Sequence, residues 1–298
     1  MIGPRCSMTG LLSGNRGRLK RRDRRLNRVA NARTYWEICT CKNTHMRSII
    51  YITLLLIHLF LAAFAHGQAD TIRPGKGHLM TEILKPGLRQ YLVYFQNPRK
   101  ADRLGFWYWL RDIKIDTKDG QQYFAISQHW YGGDSLSYRQ AYSLNRRSDF
   151  APIYHSEMVR GKTKAYDWSG QGITGADTVA FTAPNFNWNL DIETFEMLPL
   201  AAGKSFLINF YDAGLEPPKY VLYTVTGSEE LTVMNGEKID CWMLFTKGES
   251  PRGPFTETYW ISKKTHEFLK EEDNFGSMYR YKVKMPGMAP DLLPRWVP

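Results

Sequence analysis

The sequence predicts an all-β, mainly antiparallel fold, a single curled sheet or half-barrel of about ten to twelve strands with a short helical plug. Apolar residues recur at every second position in many short runs, while no long stretch repeats them at i, i+3, i+4 and i+7. Turn dipeptides separate the runs at the spacing of a meander. Beyond residue 67 the chain carries 8 Trp, 15 Tyr and 13 Phe in 231 residues, a content that suits pleated, half-buried surfaces.

The first 67 residues read as something other than fold. Residues 1–45 form a basic leader in which Arg16, Arg18, Lys20, Arg21, Arg22, Arg24, Arg25, Arg28 and Arg33 crowd together. Such a run can bind nucleic acid. It stands, however, in front of an export signal, which makes Met46 the better start and leaves residues 1–45 untranslated or disordered. Residues 46–67 have the order of a secretory signal peptide: Arg47, an apolar stretch from Ile49 to Ala65, then small residues at Ala65 and Gly67. Cleavage is expected after Gly67, with Ala69 as second choice. A membrane anchor is the alternative, although seventeen apolar residues interrupted by His58 lie at the short edge of the roughly 17 to 25 that a spanning helix needs.

Charge supports that division. The whole chain has a formal charge of +11, but residues 1–67 hold 12 Lys and Arg against 2 Asp and Glu, and residues 68–298 hold 28 against 27. The body is close to neutral, so no nucleic-acid partner is expected for it. Cys6, Cys39 and Cys41 precede the cut, leaving Cys241 alone in the mature chain with no internal disulfide available. The Cys39, Cys41, His45 group matches no zinc spacing.

Residues 68–298 then read as one domain. Alternation marks strands at Leu104, Phe106, Tyr108 and Leu110, at Leu136, Tyr138, Tyr142 and Leu144, at Phe206, Ile208 and Phe210, and at Phe255, Tyr259 and Ile261. The clearest run sets Tyr279, Tyr281, Val283 and Met285 on an expected dry face, with Arg280, Lys282 and Lys284 on an expected wet one. Turns are expected at Asp119-Gly120, Gly132-Gly133-Asp134, Asn235-Gly236 and Ser262 to Thr265, and sharp bends or bulges at Gly161, Gly170, Gly172 and Gly175. The exception to strand is Trp188 to Leu200, where Asp191 could cap one or two helical turns carrying Ile192, Phe195, Met197 and Leu198 into the open side of the sheet.

No phosphate loop, zinc-protease helix or nucleophile elbow occurs after residue 67. His155, Ser156 and Glu157 form one compact polar trio, but alternation puts Ser156 on the opposite face from the other two. Asp191, Glu193 and Glu196, and Glu271, Glu272 and Asp273, are the carboxylate groups that glycoside chemistry would require to converge. The second group reads as a solvated turn at a strand end. Cys241, with Ile239, Met243 and Phe245 alternating around it, reads as core. Consecutive aromatics in Trp107-Tyr108-Trp109 must serve both faces of a strand, so one set faces something beyond the core. Trp107, Trp109, Trp130 and Tyr131 are the ligand-binding residues expected on that basis. No catalytic residue, metal site or cofactor is expected.

The order LAAGKSFLINFYDAG, PPKYVLYTVTGSEEL, NGEKIDCWMLFTKG, TETYWISKKTHEFLKEED and MYRYKVKM resembles the secreted bacterial family known as domain of unknown function 3108. The carrying motifs are the hairpin and aromatic strand from Gly236 to Trp242, and the strand pair from Trp260 to Glu272. The resemblance is closest over about the last hundred residues and looser from His78 onward. It implies a sheet curled around an apolar cavity, similar to the lipoprotein-carrier class of envelope proteins. Residence in the periplasm or envelope of a Gram-negative bacterium, and an acyl or other apolar ligand, follow from that resemblance. No Cys follows the cut for lipidation. The expected function is therefore non-enzymatic binding of an apolar or amphiphilic ligand on the concave face. The alternatives are a structural or protein-interaction module of the envelope and, third, a hydrolase of envelope sugars or esters using His155, Glu157 or Glu193.

Overall fold

The computed structural model describes residues 68–97, 104–133, 137–215, 217–250, 253–276 and 278–286. The expectations for the basic leader and the signal peptide lie outside the described residues. Among the described residues the strands are β1 (Asp70–Ile72), β2 (Gly87–Gln96), β3 (Leu104–Lys118), β4 (Gln121–Tyr131), β5 (Arg139–Arg146), β6 (Pro152–Val159), β7 (Lys162–Asp167), β8 (Asp177–Thr178) and β9 (Phe186–Asn187). After a 3-10 turn (Trp188–Leu190) and helix α1 (Asp191–Glu196) come β10 (Ser205–Tyr211), β11 (Lys219–Thr232), β12 (Lys238–Ser250), β13 (Gly253–Ser262), β14 (Phe268–Phe275) and β15 (Met278–Lys284).

All fifteen strands belong to one sheet, in the order β1-β10-β11-β12-β13-β14-β15-β2-β3-β4-β5-β6-β7-β8, with β9 pairing beside β10. The fold class is as expected, and the strand number exceeds the expected ten to twelve because β1, β8 and β9 are two- or three-residue edge pieces without a period-two signature. Those short pieces pair in parallel; the long strands pair antiparallel. Tight turns sit where the sequence placed them. Asp119 and Gly120 take positive φ (51° and 76°) between β3 and β4, and Gly236 (83°) closes the β11–β12 hairpin. Gly161 and the three glycines at 170, 172 and 175 also have positive φ, but in turns and a loop outside the strands. Register shifts fall elsewhere, between Val225 and Gly227, Leu144 and Asn145, and Trp260 and Ile261.

The sheet wraps around α1. One apolar cluster joins Tyr91 and Val93 of β2, Trp109 of β3, Phe124 of β4, Phe206 of β10, Tyr223 of β11 and Phe268 of β14 to Ile192, Phe195, Met197 and Leu198. All four of those last side chains are fully buried. Phe195 alone meets Phe210, Tyr223 and Tyr259 at ring-centroid distances of 6.1, 4.7 and 4.7 Å. The helix is short because Pro199 follows. Asp191 is its first residue and not its cap: the preceding Leu190 makes no side-chain cap, and Asn187 caps the 3-10 turn through Asn189 N.

The sheet stays open between its ends. Side chains bridge that seam: Tyr166 and Trp168 from the β7 side meet Tyr211 of β10 and Phe181.

Candidate functional site

Alternation decides what each strand sends to the concave face. On β15 the outcome reverses the expectation. Arg280 lies opposite Phe95, Lys282 opposite Val93 and Lys284 opposite Tyr91, and directly opposed residues share a face. The basic residues therefore point inward, and Tyr281 stacks on Tyr94 outside, with centroids 4.7 Å apart. Lys282 is the most buried residue of its strand. What holds cations there is a pair of carboxylates on β14. Lys282 pairs with Glu271 at 2.6 Å; Arg280 pairs with Glu271 at 3.1 Å and with Asp273. Glu271 and Asp273 are 0 % and 1 % exposed, so the group read as a solvated turn is an interior strand. Burial, reinforced by the Asp273 charge, pushes the Glu271 carboxyl up to about 7 despite both cations. Asp273 and Glu257 are also raised, chiefly by burial.

Two further ion pairs anchor α1. Arg111 of β3 makes a two-pronged contact with Glu193, its Nε donating at 2.8 Å, and also donates to Gln128 and to the Asn189 carbonyl at 3.1 and 3.2 Å. Arg89 of β2 donates to Glu196, whose other oxygen accepts from Phe268 N at 2.8 Å. Arg111 is fully buried, an arrangement stable only because every charge is paired.

Between this ionic floor and the mouth of the curl lies a cavity of about 220 Å³. Trp107 and Trp109 of β3, Trp130 of β4 and Trp188 of the 3-10 turn form its aromatic wall. Trp109 and Trp130 stack at 5.4 Å and 15°, Arg111 lies 4.5 Å from the Trp109 ring and Arg139 4.9 Å from the Trp130 ring. The charged residues of the remaining wall are Asp191, Asp212, Glu257, Arg139, Arg280 and Lys282, interleaved with Val93, Gln128, Asn189, Leu215 and Tyr259. Three of the four expected ligand-binding residues thus meet in one place. Tyr131 does not: it follows Trp130 on β4, so its ring turns to the outer face, beside Tyr108 and Tyr138. Trp188 and the charged residues were missed, Trp188 because a helical reading gave it no face. Arg280 and Lys282 were missed because charge was equated with solvent.

The polar trio separates as well. His155 is buried and bonds through Nδ1 to Ser143 Oγ at 2.9 Å, across the β5–β6 ladder and not to Ser156. Desolvation, with the Arg139 charge, drives its pKa down to about 4. Glu157 pairs with Arg139, and Glu193 with Arg111. Cys241 is core, packed with Trp260 and Leu269 on the outer face, and burial pushes its thiol up to about 11.

The protein-family model described as "Protein of unknown function (DUF3108)" matches residues 90–284. The chain belongs to the DUF3108 family. The match spans every strand from within β2 to the end of β15, and with it all the cavity residues named above. Among solved structures this DUF3108 chain is similar to a β-barrel-like protein of domain of unknown function 1849 from Brucella abortus, at 10 % identity and TM-score 0.37, covering 68 % of this chain and 96 % of that one. It is similar also to the hypothetical lipoprotein YmcC from Escherichia coli (K12), at 11 % identity and TM-score 0.28, covering 77 % and 96 %. A DUF1329 family protein from Desulfovibrio piger is similar at 9 % identity and TM-score 0.29, covering 72 % and 92 %. No curated protein matches the chain. No helix among the described residues is long and apolar enough to cross a membrane.

Proposed function

We propose that this DUF3108 chain is exported to the envelope of a Gram-negative bacterium, where it acts by binding and not by catalysis, holding a compact amphiphilic ligand in the concave-face cavity. The observation that carries the reading is the meeting of four indoles from three separate elements around one cavity whose other walls include several charged side chains. Indoles supply apolar contact area with a polar edge, and a few fixed charges supply orientation. At about 220 Å³ the space is smaller than the roughly 300 to 1,000 Å³ of drug-sized pockets. A compact ligand fits it better than an extended acyl chain, because α1 already occupies the apolar interior of the curl.

Binding is favoured over hydrolysis because His155, Glu157 and Glu193 are each engaged by Ser143, Arg139 and Arg111. A second reading, a protein-interaction module, draws on the outer face of β11, where Tyr220 and Leu222 stand half-exposed two residues apart.

Intact mass of the protein purified from its native envelope tests both parts. A denatured mass beginning at Gln68 with a native mass larger by a bound small molecule is the expected result. An uncleaved chain would overturn export. A cleaved chain that carries no small molecule but retains a protein partner would favour the interaction module.

A further inference from the structure

We infer that the ligand of the concave-face cavity is a cation, a compact molecule bearing a protonated amine beside an apolar group, received by Asp191 and Glu257. This rests on the binding reading above and adds the charge of the ligand to it.

The argument is a charge inventory of the cavity walls. Every cation there already has a carboxylate outside the cavity: Arg139 has Glu157, while Arg280 and Lys282 have Glu271 and Asp273. Arg111, behind Trp109, is neutralised by Glu193. Two cavity carboxylates have no ion-pair partner among the described residues. Asp191, 7 % exposed, accepts only the Ile192 N–H at 2.8 Å. Glu257, 5 % exposed, accepts only the Tyr259 hydroxyl at 2.7 Å. Asp191 and Glu257 are thus cavity carboxylates with no ion pair of their own, in a place where an unpaired charge is costly.

Two occupants can supply the missing positive charge: protons, or a ligand. The aromatic wall favours the ligand. Trp107 and Trp188 are only partly buried and flank the same space, and indole faces are the strongest aromatic partners for an ammonium. In the same wall the Trp109 Nε1–H is buried with no acceptor, a donor that a ligand oxygen would satisfy. Burial, with the Glu271 charge, raises both carboxyls against the opposing pull of Lys282 and Arg111 on Asp191 and of Arg280 and Lys282 on Glu257, so an incoming ammonium displaces protons.

The test titrates the whole exported protein with three probes of one shape and different charge: phenethylammonium, 2-phenylethanol and 3-phenylpropanoate. Tryptophan fluorescence and calorimetry in buffers of differing ionisation enthalpy are the readouts. Phenethylammonium is expected to bind at least about ten-fold more tightly than the alcohol, the propanoate not at all, and protons to be released on binding, as a charge-assisted contact implies. Asp191→Asn and Glu257→Gln are each expected to lower the ammonium affinity about ten-fold and to narrow its advantage over the alcohol by the same factor. Equal binding of ammonium and alcohol, without proton release, would overturn the charge assignment and leave the cavity reading standing. Failure of all three probes to perturb the tryptophans would overturn both. Proton release is measured on the unmodified protein, so a variant that does not fold leaves the test intact.

Discussion

At the scale of single residues, what distinguishes this chain is charge carried inward and matched there. Arg111 is the extreme case, a fully buried guanidinium whose donors go to Glu193, Gln128 and a carbonyl. Removing one member of such a pair leaves the other charged and dry. Glu193→Gln is therefore expected to lower unfolding free energy by about 3–5 kcal/mol, measured by urea denaturation. The double change Arg111→Met with Glu193→Leu should recover most of that loss, since an apolar pair of similar volume replaces the ion pair at little net cost. These residues also mark where sequence reading stops. Tyr279, Tyr281 and Val283 alternate with Arg280, Lys282 and Lys284 so cleanly that the period was legible, while the direction was not. Period two says that two faces differ; which of them is interior depends on partners nearly two hundred residues away on β2. Glu271 and Asp273 misled for the same reason, because their cations lie on the neighbouring strand β15.

At the scale of elements, α1 contributes through packing and not through length. Six residues cannot hold a helix in water alone, so its stability comes from the sheet around it. Phe195→Ala, which removes a ring held between Phe210, Tyr223 and Tyr259, is expected to cost about 3–5 kcal/mol and to shift the thermal midpoint downward in a calorimetric scan. The plug was legible because Ile192, Phe195, Met197 and Leu198 break the strand period just before Pro199. Hairpins were legible too, since Asn235-Gly236 prescribes its own turn. Gly236 has φ 83°, and Gly236→Ala should destabilise by about 1 kcal/mol, visible as a lower urea midpoint with an unchanged slope. The edge pieces β1, β8 and β9 were not legible: at two or three residues, pairing with a neighbour makes them strands, and their own composition does not.

At the scale of the whole molecule, buried carboxyls set the pH response. Glu271 titrates near 7 in the folded chain against an ordinary value of 4.5, so the folded state holds its proton more tightly than the unfolded one. Its contribution is fully present below pH 4.5 and is lost as pH rises through 7. Asp191, Glu196, Glu257 and Asp273 are raised in the same direction. His155 and His129 oppose them, because desolvation lowers both imidazoles and so makes stability rise as pH rises towards 6.5, for His155 from about pH 4. Above about pH 6.5 the histidines are neutral in both states, so Glu271 predicts that stability falls as pH rises from there through 7, followed as urea midpoints across that range. Glu271→Gln should flatten the fall, and an unchanged slope in that variant would show that Glu271 does not titrate there.

The pairing of β15 with β2 has a consequence for how the chain comes to be made. Two meanders, β2 to β8 and β10 to β15, are each built from neighbours in sequence, and both can zip locally as they emerge. Their junction joins the first long strand to the last one. Until the ribosome has released that final strand, β2 and β14 both present bare edges, and Glu271 and Asp273 lack Arg280 and Lys282. A nascent chain thus keeps two unpaired strand edges until the very end of its synthesis, and the sheet becomes continuous only when its last strand is free to pair on both sides.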